Sequence, residues 1–381
     1  MGDTSNEPKV DAEEILTGIV RWVEIETPSQ DGAAVNRLAD AIEREFVEVG
    51  AKTERIPGRD GFGDVLIAQA PWNGEADGPG IMVLGHMDTV HPHGTIRRLT
   101  VRREGDKVFG PGIYDMKGGD YLGFYGLRHL LRQGKRAKLP VTFLFVPEEE
   151  VGSPTSRAII EREGLKAKYV LCMEPGRDGG KVVTGRKGCA RFVVKVHGEP
   201  AHSGARHEDG RSAIREAARQ ILDIEAMTDY ATGVTTSVGL WGGGTGANVV
   251  PEFSTFEVDV RLPDAASAEA VCARIANLKS HDPDVTIEVT GGMNRPAYEK
   301  TPAIAALHEH ARRLAAEIGI PLDETFTGGF SDGNFTAALG IPTLDGLGVD
   351  GAGAHTEEEH LYYSSLEPRA KLLIRLLETL E

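Results

Sequence analysis

Apolar positions along the chain change period several times, and each change marks an element. Val35, Leu38, Ile42, Phe46 and Val47 recur at helical spacing, and Gly50 follows as a stop. Ile81-Met82-Val83-Leu84 is instead a continuous apolar run, short enough for a central strand. A helical pattern returns after Gly118-Gly119, with Leu122, Tyr125 and Leu130 on one side. Val141–Val146 and Tyr169–Met173 are two further buried strands, rich in β-branched and aromatic residues. Strands apolar on both faces, alternating with helices, predict a mostly parallel sheet covered by helices on both sides.

The pattern then changes character. Ala190–Val196 reads as a strand, Ile214, Ala218, Ile221 and Leu222 as a helix, and Val234–Leu240 as a strand. Phe256, Val258, Val260 and Leu262 alternate strictly with polar residues, so that strand has one wet face. Ala266–Leu278 reads as a helix and Val285–Val289 as a strand. The order β-α-β-β-α-β is that of a ferredoxin-like α+β unit. It reads as an insertion at residues 188–295, because helix patterns at Ala303–Ile318 and Leu366–Leu380, and a buried run at Ile341–Leu344, follow it. The expectation is an α/β domain made from residues 1–187 and 296–381, interrupted by a second domain. No internal repeat or low-complexity segment is visible.

Composition narrows the partners. A chain of 381 residues with 40% apolar content fits a soluble globular protein of two domains. Its net charge of −16 argues against nucleic-acid and anionic-membrane partners. Cys172, Cys189 and Cys272 are odd in number and show no ligand spacing, which fits a reducing compartment. The polar, acidic start Met1–Pro8 has no secretory pattern, and no apolar stretch nears the roughly 18 residues of a membrane span. A cytoplasmic protein is expected.

Candidate chemistry lies at the strand ends. The Val141–Val146 run, with Pro147, leads straight into Glu148-Glu149-Glu150. Carboxylates ending a buried strand are costly unless a cation meets them, although a solvated loop would carry such charges too. His86-Met87-Asp88 follows the Ile81–Leu84 strand, Asp115 lies in a Gly-rich turn before a helix, and Glu174-Pro175 ends the next strand. His355 follows the last buried run. Asp115 alone could be a helix cap. Four successive elements ending in ligand-type residues favour a metal centre, and imidazole with carboxylate suits zinc and its neighbours.

Three motifs then become familiar: Gly85-His86-Met87-Asp88-Thr89-Val90, Gly110–Gly119 around Asp115, and Glu148-Glu149-Glu150-Val151-Gly152-Ser153. Their order and spacing resemble the di-zinc aminoacylase/carboxypeptidase family of acetylornithine deacetylase, succinyl-diaminopimelate desuccinylase, dipeptidases and bacterial glutamate carboxypeptidase, most of all the last. The resemblance covers nearly the whole chain, the inserted unit matching the family's lid and dimerisation domain. It implies two Zn²⁺ ions, with Co²⁺ or Mn²⁺ as substitutes, bridged by Asp115. His86 and Glu174 would complete one site, Glu150 and His355 the other. It makes Glu149 the general base acting on a metal-bridging hydroxide and Asp88 the residue that holds the His86 ring. Glu148 stands where the family usually has Asp, a conservative change that makes it the most replaceable of the three. His202, in a His-Ser-Gly context, would stabilise the oxyanion in the partner subunit of a homodimer joined through the lid. Arg295 and Asn248 resemble residues holding a terminal carboxylate, and Lys181 a basic group near the side-chain pocket. Arg261 and Ser331 are further family-like candidates for substrate binding, Arg261 with an equally good structural reading on the wet face of its strand. The implied reaction is hydrolysis of an N-acyl or peptidyl C-terminal amino acid, with glutamate-like residues favoured, in a small molecule or short peptide. A small-molecule deacylase for acetyl, succinyl or aryl-acyl amides, or an inactive binding protein on the same scaffold, stay open as alternatives.

Overall fold

The computed structural model describes residues 9–74 and 78–381. The chain forms two compact units. The first consists of Met1–Gly185, Lys300–Phe326 and Ser331–Glu381, and the second of Arg186–Glu299 with Thr327–Phe330.

The first unit is built on a six-stranded sheet. Its strands are β1 (Lys52–Ile56), β2 (Val65–Gln69), β3 (Gly80–His86), β4 (Val141–Val146), β5 (Ala167–Cys172) and an edge strand Thr343–Leu344, in the order β1-β2-β4-β3-β5-edge. β4, β3, β5 and the edge strand run parallel, while β2 pairs antiparallel with both β4 and β1. Uninterrupted apolar runs are needed because both faces are covered. Ile81 and Val83 pack on one side with helices Ala12–Val23, Gly32–Glu48, Gly118–Arg132 and Leu366–Thr379. Met82 and Leu84 pack on the other with Ile160 and Phe335.

In its exposure Val47 departs from the helical reading, and β1 is a strand with no sequence signal. Helix Gly32–Glu48 buries Val35, Leu38, Ile42 and Phe46, but Val47 lies exposed, a step of about 100° from Phe46 around the axis. β1 has no apolar run because it is a short polar edge strand, Lys-Thr-Glu-Arg-Ile, which keeps charge on an open edge.

The second unit has a four-stranded antiparallel sheet in the order β7-β8-β6-β9, made of β6 (Gly188–His197), β7 (Thr235–Gly243), β8 (Phe253–Leu262) and β9 (Thr286–Arg295). Helices Ala213–Glu225 and Ala265–Ala276 lie between β6 and β7 and between β8 and β9 in the chain. Phe256, Val258, Val260 and Leu262 are all buried, the inward half of the β8 alternation. In helix Ala213–Glu225 the buried stripe is Ala213, Glu216, Ala217, Gln220 and Ile224, and Leu222 is exposed. Two polar residues complete that stripe because they satisfy each other: Glu216 accepts from Gln220 Nε2 at 2.8 Å and from the backbone N–H of His281 at 2.9 Å. No described helix is long and apolar enough to cross a membrane.

Candidate metal centre

The parallel pairing brings the candidate residues together. His86, the last residue of β3, is in register with Val146 of β4, and Leu84 is in register with Cys172 of β5. The residues just beyond β4 and β5 therefore flank His86: Glu149 and Glu150 on one side, Glu174 on the other. Asp115 enters from the turn before helix Gly118–Arg132. That turn approaches β5 closely, since a Cβ on Gly119 would lie 1.9 Å from the carbonyl oxygen of Met173. His355 sits in the hairpin loop between strands Gly351–Ala352 and His360–Tyr362. Its φ of +67° is uncommon for a side-chain-bearing residue.

Asp115 faces both histidines. His86 Nε2 is 3.3 Å from Asp115 Oδ1 and 3.8 Å from Glu174 Oε1. His355 Nε2 is 3.5 Å from Asp115 Oδ2 and 3.2 Å from Glu150 Oε2. Donor atoms of His86, Asp115 and Glu150 lie within 4.8 Å of one another, as do those of His86, Glu149 and Glu174. Two donors at about 2.0–2.1 Å from a tetrahedral zinc are about 3.3 Å apart, so these separations match those around an ion. Glu150 Oε1 is buried without a hydrogen-bond partner, which a cation would supply. The donors are imidazole nitrogen and carboxylate oxygen only, a set for zinc, cobalt or manganese. The residues fit a divalent metal.

The electrostatics agree. Burial opposes charge on His86, yet Asp115 and Asp88 hold its pKa well above the ordinary histidine value. Burial pushes Asp115 up, but hydrogen bonds with His355 and His86 keep it far below the usual carboxylate range. Asp115 and Glu150 raise His355 to about 10. A carboxylate field that holds protons on two imidazoles favours a divalent cation at the same nitrogens.

The three glutamates occupy three environments. Glu148 is fully buried, and its Oε1 accepts from Thr155 N, Thr155 Oγ1 and Ser156 N at 2.7–2.9 Å. It is thus a structural anchor with a demanding site, not the most replaceable of the three. Glu149 is buried beside His86 and Glu174, and Glu150 faces His355. Asp88 organises all of this. Its carboxylate accepts from Ser29 Oγ at 2.6 Å, Glu149 N at 3.0 Å and Glu150 N at 3.2 Å, and lies 3.4 Å from His86 Nδ1. That ring nitrogen is closer, at 3.0 Å, to the backbone oxygen of Asp88 itself.

Residues 82–379 match Peptidase family M20/M25/M40. The chain belongs to that family. It is 30% identical over 371 residues to carboxypeptidase G2 of Pseudomonas sp., spanning 95% of this chain and 88% of that protein. It is 25% identical over 374 residues to succinyl-diaminopimelate desuccinylase of Delftia acidovorans, spanning 92% and 94%. Among solved structures, the fold matches aminopeptidase PepT from Bacillus cereus with a TM-score of 0.77 at 23% identity, covering 97% and 98% of the two chains. It matches the M20 family metallo-carboxypeptidase Sso-CP2 from Sulfolobus solfataricus with a TM-score of 0.72 at 17% identity, covering 97% and 99%. This M20 chain is accordingly a hydrolase of the metallopeptidase and amidohydrolase class that acts on amide bonds.

The remaining candidates of this M20 peptidase are distributed over both units. In the first, Ser331 is fully buried and donates its hydroxyl to Asp345 Oδ2 at 2.6 Å. Lys181 exchanges backbone hydrogen bonds with Arg177. Arg177, which sequence reasoning missed, is the cation beside Glu174, at 3.8 Å. In the second unit, His202 and Asn248 come together because Ala201–His202 pairs with Val249–Val250 and Ser203 N donates to Asn248 O at 3.0 Å. His202 Nδ1 accepts from Gly204 N and Ala205 N, which places the ring proton on Nε2. Arg295 is fully buried with its guanidinium 4.6 Å from the Phe330 ring centroid. Arg261 lies 4.9 Å from the same centroid and grips Asp259 with two hydrogen bonds of 2.6 and 3.2 Å. Phe330 carries no sequence signal of this role.

Proposed function

We propose that the protein is a two-metal hydrolase that cleaves the amide bond of N-acyl or peptidyl C-terminal amino acids. The observation that carries this reading is the two-faced Asp115 carboxylate between His86 and His355, with Glu149 alongside, in a chain related to carboxypeptidase G2. His86 with Glu174, and His355 with Glu150, would each hold one divalent ion shared through Asp115, zinc first among the candidates. Such ions lower the pKa of a bound water towards neutrality and polarise an amide carbonyl. Glu149 takes a proton from the attacking water and delivers it to the leaving amine. Asp88 keeps His86 oriented and the Glu149–Glu150 backbone in place. His202, with its proton on Nε2, is a donor for the developing oxyanion, supplied by a second copy of the chain.

Arg295, with Asn248, is the proposed grip on the substrate's terminal carboxylate. An Arg295→Ala protein is expected to raise KM for carboxylate-bearing substrates roughly 10- to 100-fold, the loss of one charged hydrogen-bonding group. Steady-state kinetics showing an unchanged KM would remove Arg295 from substrate binding.

The second reading, a small-molecule deacylase, is favoured by the likeness to succinyl-diaminopimelate desuccinylase. A hydrolysis screen of the zinc-loaded protein separates the two, with C-terminal dipeptides in one arm and acetyl, succinyl and aryl-acyl amino acids in the other. No turnover in either arm would sink the hydrolase proposal.

Dimerisation through the second unit is also proposed. β7 is an edge strand that leaves Leu240 and Trp241 more than half exposed, and Leu222 on helix Ala213–Glu225 is 70% exposed. The wild type is expected to run as a dimer in light scattering coupled to gel filtration, and Trp241→Glu as a monomer. A monomeric wild type would rule the dimer out.

A further inference from the structure

We infer that Glu359 is a positioning residue that sets the spacing of the donor set Asp115–Glu150–His355. The inference rests on the metal reading above. Glu359 is fully buried. Its Oε1 accepts from the backbone N–H of Tyr114 at 2.9 Å and of Asp115 at 3.0 Å. Its Oε2 accepts from Gly112 N at 2.8 Å and faces His91 Nε2 at 2.6 Å. Its backbone oxygen accepts from Gly110 N at 3.2 Å. One residue thus holds the whole turn that presents Asp115.

Strand pairing delivers it there. Lys107–Phe109 pairs antiparallel with His360–Tyr362, with Phe109 opposite His360, so Glu359 lies one step past the pair, opposite Gly110. Glu359 is also four residues beyond His355 in the same hairpin loop. That link is short and internally bonded: Thr356 N donates to Gly353 O at 3.1 Å and Glu359 N to Thr356 O at 3.3 Å. Asp115 and His355 come from segments some 240 residues apart in the chain, a separation matched by the Glu359–Asp115 contact (244). Glu359 makes them one piece. His86 and Glu174 need no such tie, because the β3 and β5 strand ends already place them.

The chemistry requires a carboxylate. Four donors converge on two oxygens, and each bond is strengthened by the negative charge. Glutamine has a single acceptor oxygen, and its amide would turn N–H towards at least one of the N–H groups. A buried donor would then be left unpaired.

The test is zinc titration of chelator-stripped protein, in competition with a chromophoric chelator, for wild type and E359Q. Wild type is expected to bind two equivalents. E359Q should bind the second roughly 10- to 100-fold more weakly, the usual loss when a group supporting a ligand is removed, and the first several-fold more weakly at most, because Asp115 serves both sites but His355 only the second. Its kcat should fall while KM holds. Both equivalents unchanged, or both weakened alike, would overturn the positioning role, since a general loss of structure does not choose between sites. If E359Q does not fold, His91→Ala removes one of the four donors and leaves the backbone three. It should weaken the second equivalent selectively by several-fold, and an equal or absent effect counts against the role. A wild type that takes up no zinc overturns the metal reading and this inference together, whereas normal wild-type uptake with an unaltered E359Q overturns this inference alone.

Discussion

Glu149→Ala protein is expected to keep its full metal content and to lose kcat by about 10²–10⁴-fold, the range attributable to a positioned general acid–base group. The backbone of Glu149 is fixed independently of its side chain, through the bond from Glu149 N to Asp88 Oδ1 at 3.0 Å. Truncation therefore leaves Glu150, whose own N–H is held by the same carboxylate, facing His355. The competing possibility is that Glu149 is itself a ligand, because its carboxylate lies within 4.8 Å of the donors of His86 and Glu174. Elemental analysis separates these roles. Full metal content with kcat lost identifies the base, and a lost ion identifies a ligand. Full activity would place the base elsewhere.

The strand-end residues were legible because three conditions coincide at them. Their strands are unbroken apolar runs, parallel neighbours place the carboxyl ends side by side, and ligand-type side chains end each run. His86, Glu150 and Glu174 therefore converge without any fine detail of packing. Glu359 and Ser29 act on the site across 244 and 59 positions of chain, and nothing local marks them. Burial was misread wherever polar residues satisfied one another inside. The Glu216–Gln220 pair moved the stripe of its helix. Glu148 shows the same limit: beside Glu149 and Glu150 its identity says charge, and only its three hydrogen bonds reveal an anchor.

Removing Asp115 is expected to do more than removing the base. Each histidine would keep one carboxylate, His86 with Glu174 and His355 with Glu150, which is two protein donors where a catalytic zinc takes three. Both sites weaken at once because the two oxygens of Asp115 face different histidines. An Asp115→Ala protein should therefore bind zinc weakly, with no detectable turnover. In the wild type, chelation should abolish turnover, and zinc or cobalt should restore it. Thermal unfolding gives a readout free of catalysis. Zinc at about 100 times its Kd stabilises a folded protein by ~2.7 kcal/mol, so the wild type should melt higher with zinc and the variant should not respond. The Tyr114 and Asp115 backbone N–H groups still meet Glu359 in the variant, so the turn itself should persist and the metal-free proteins should melt alike. An Asp115→Ala protein that retains two ions with wild-type affinity, or a wild type active after exhaustive chelation with metal shown absent, would show that this carboxylate does not join two metal sites.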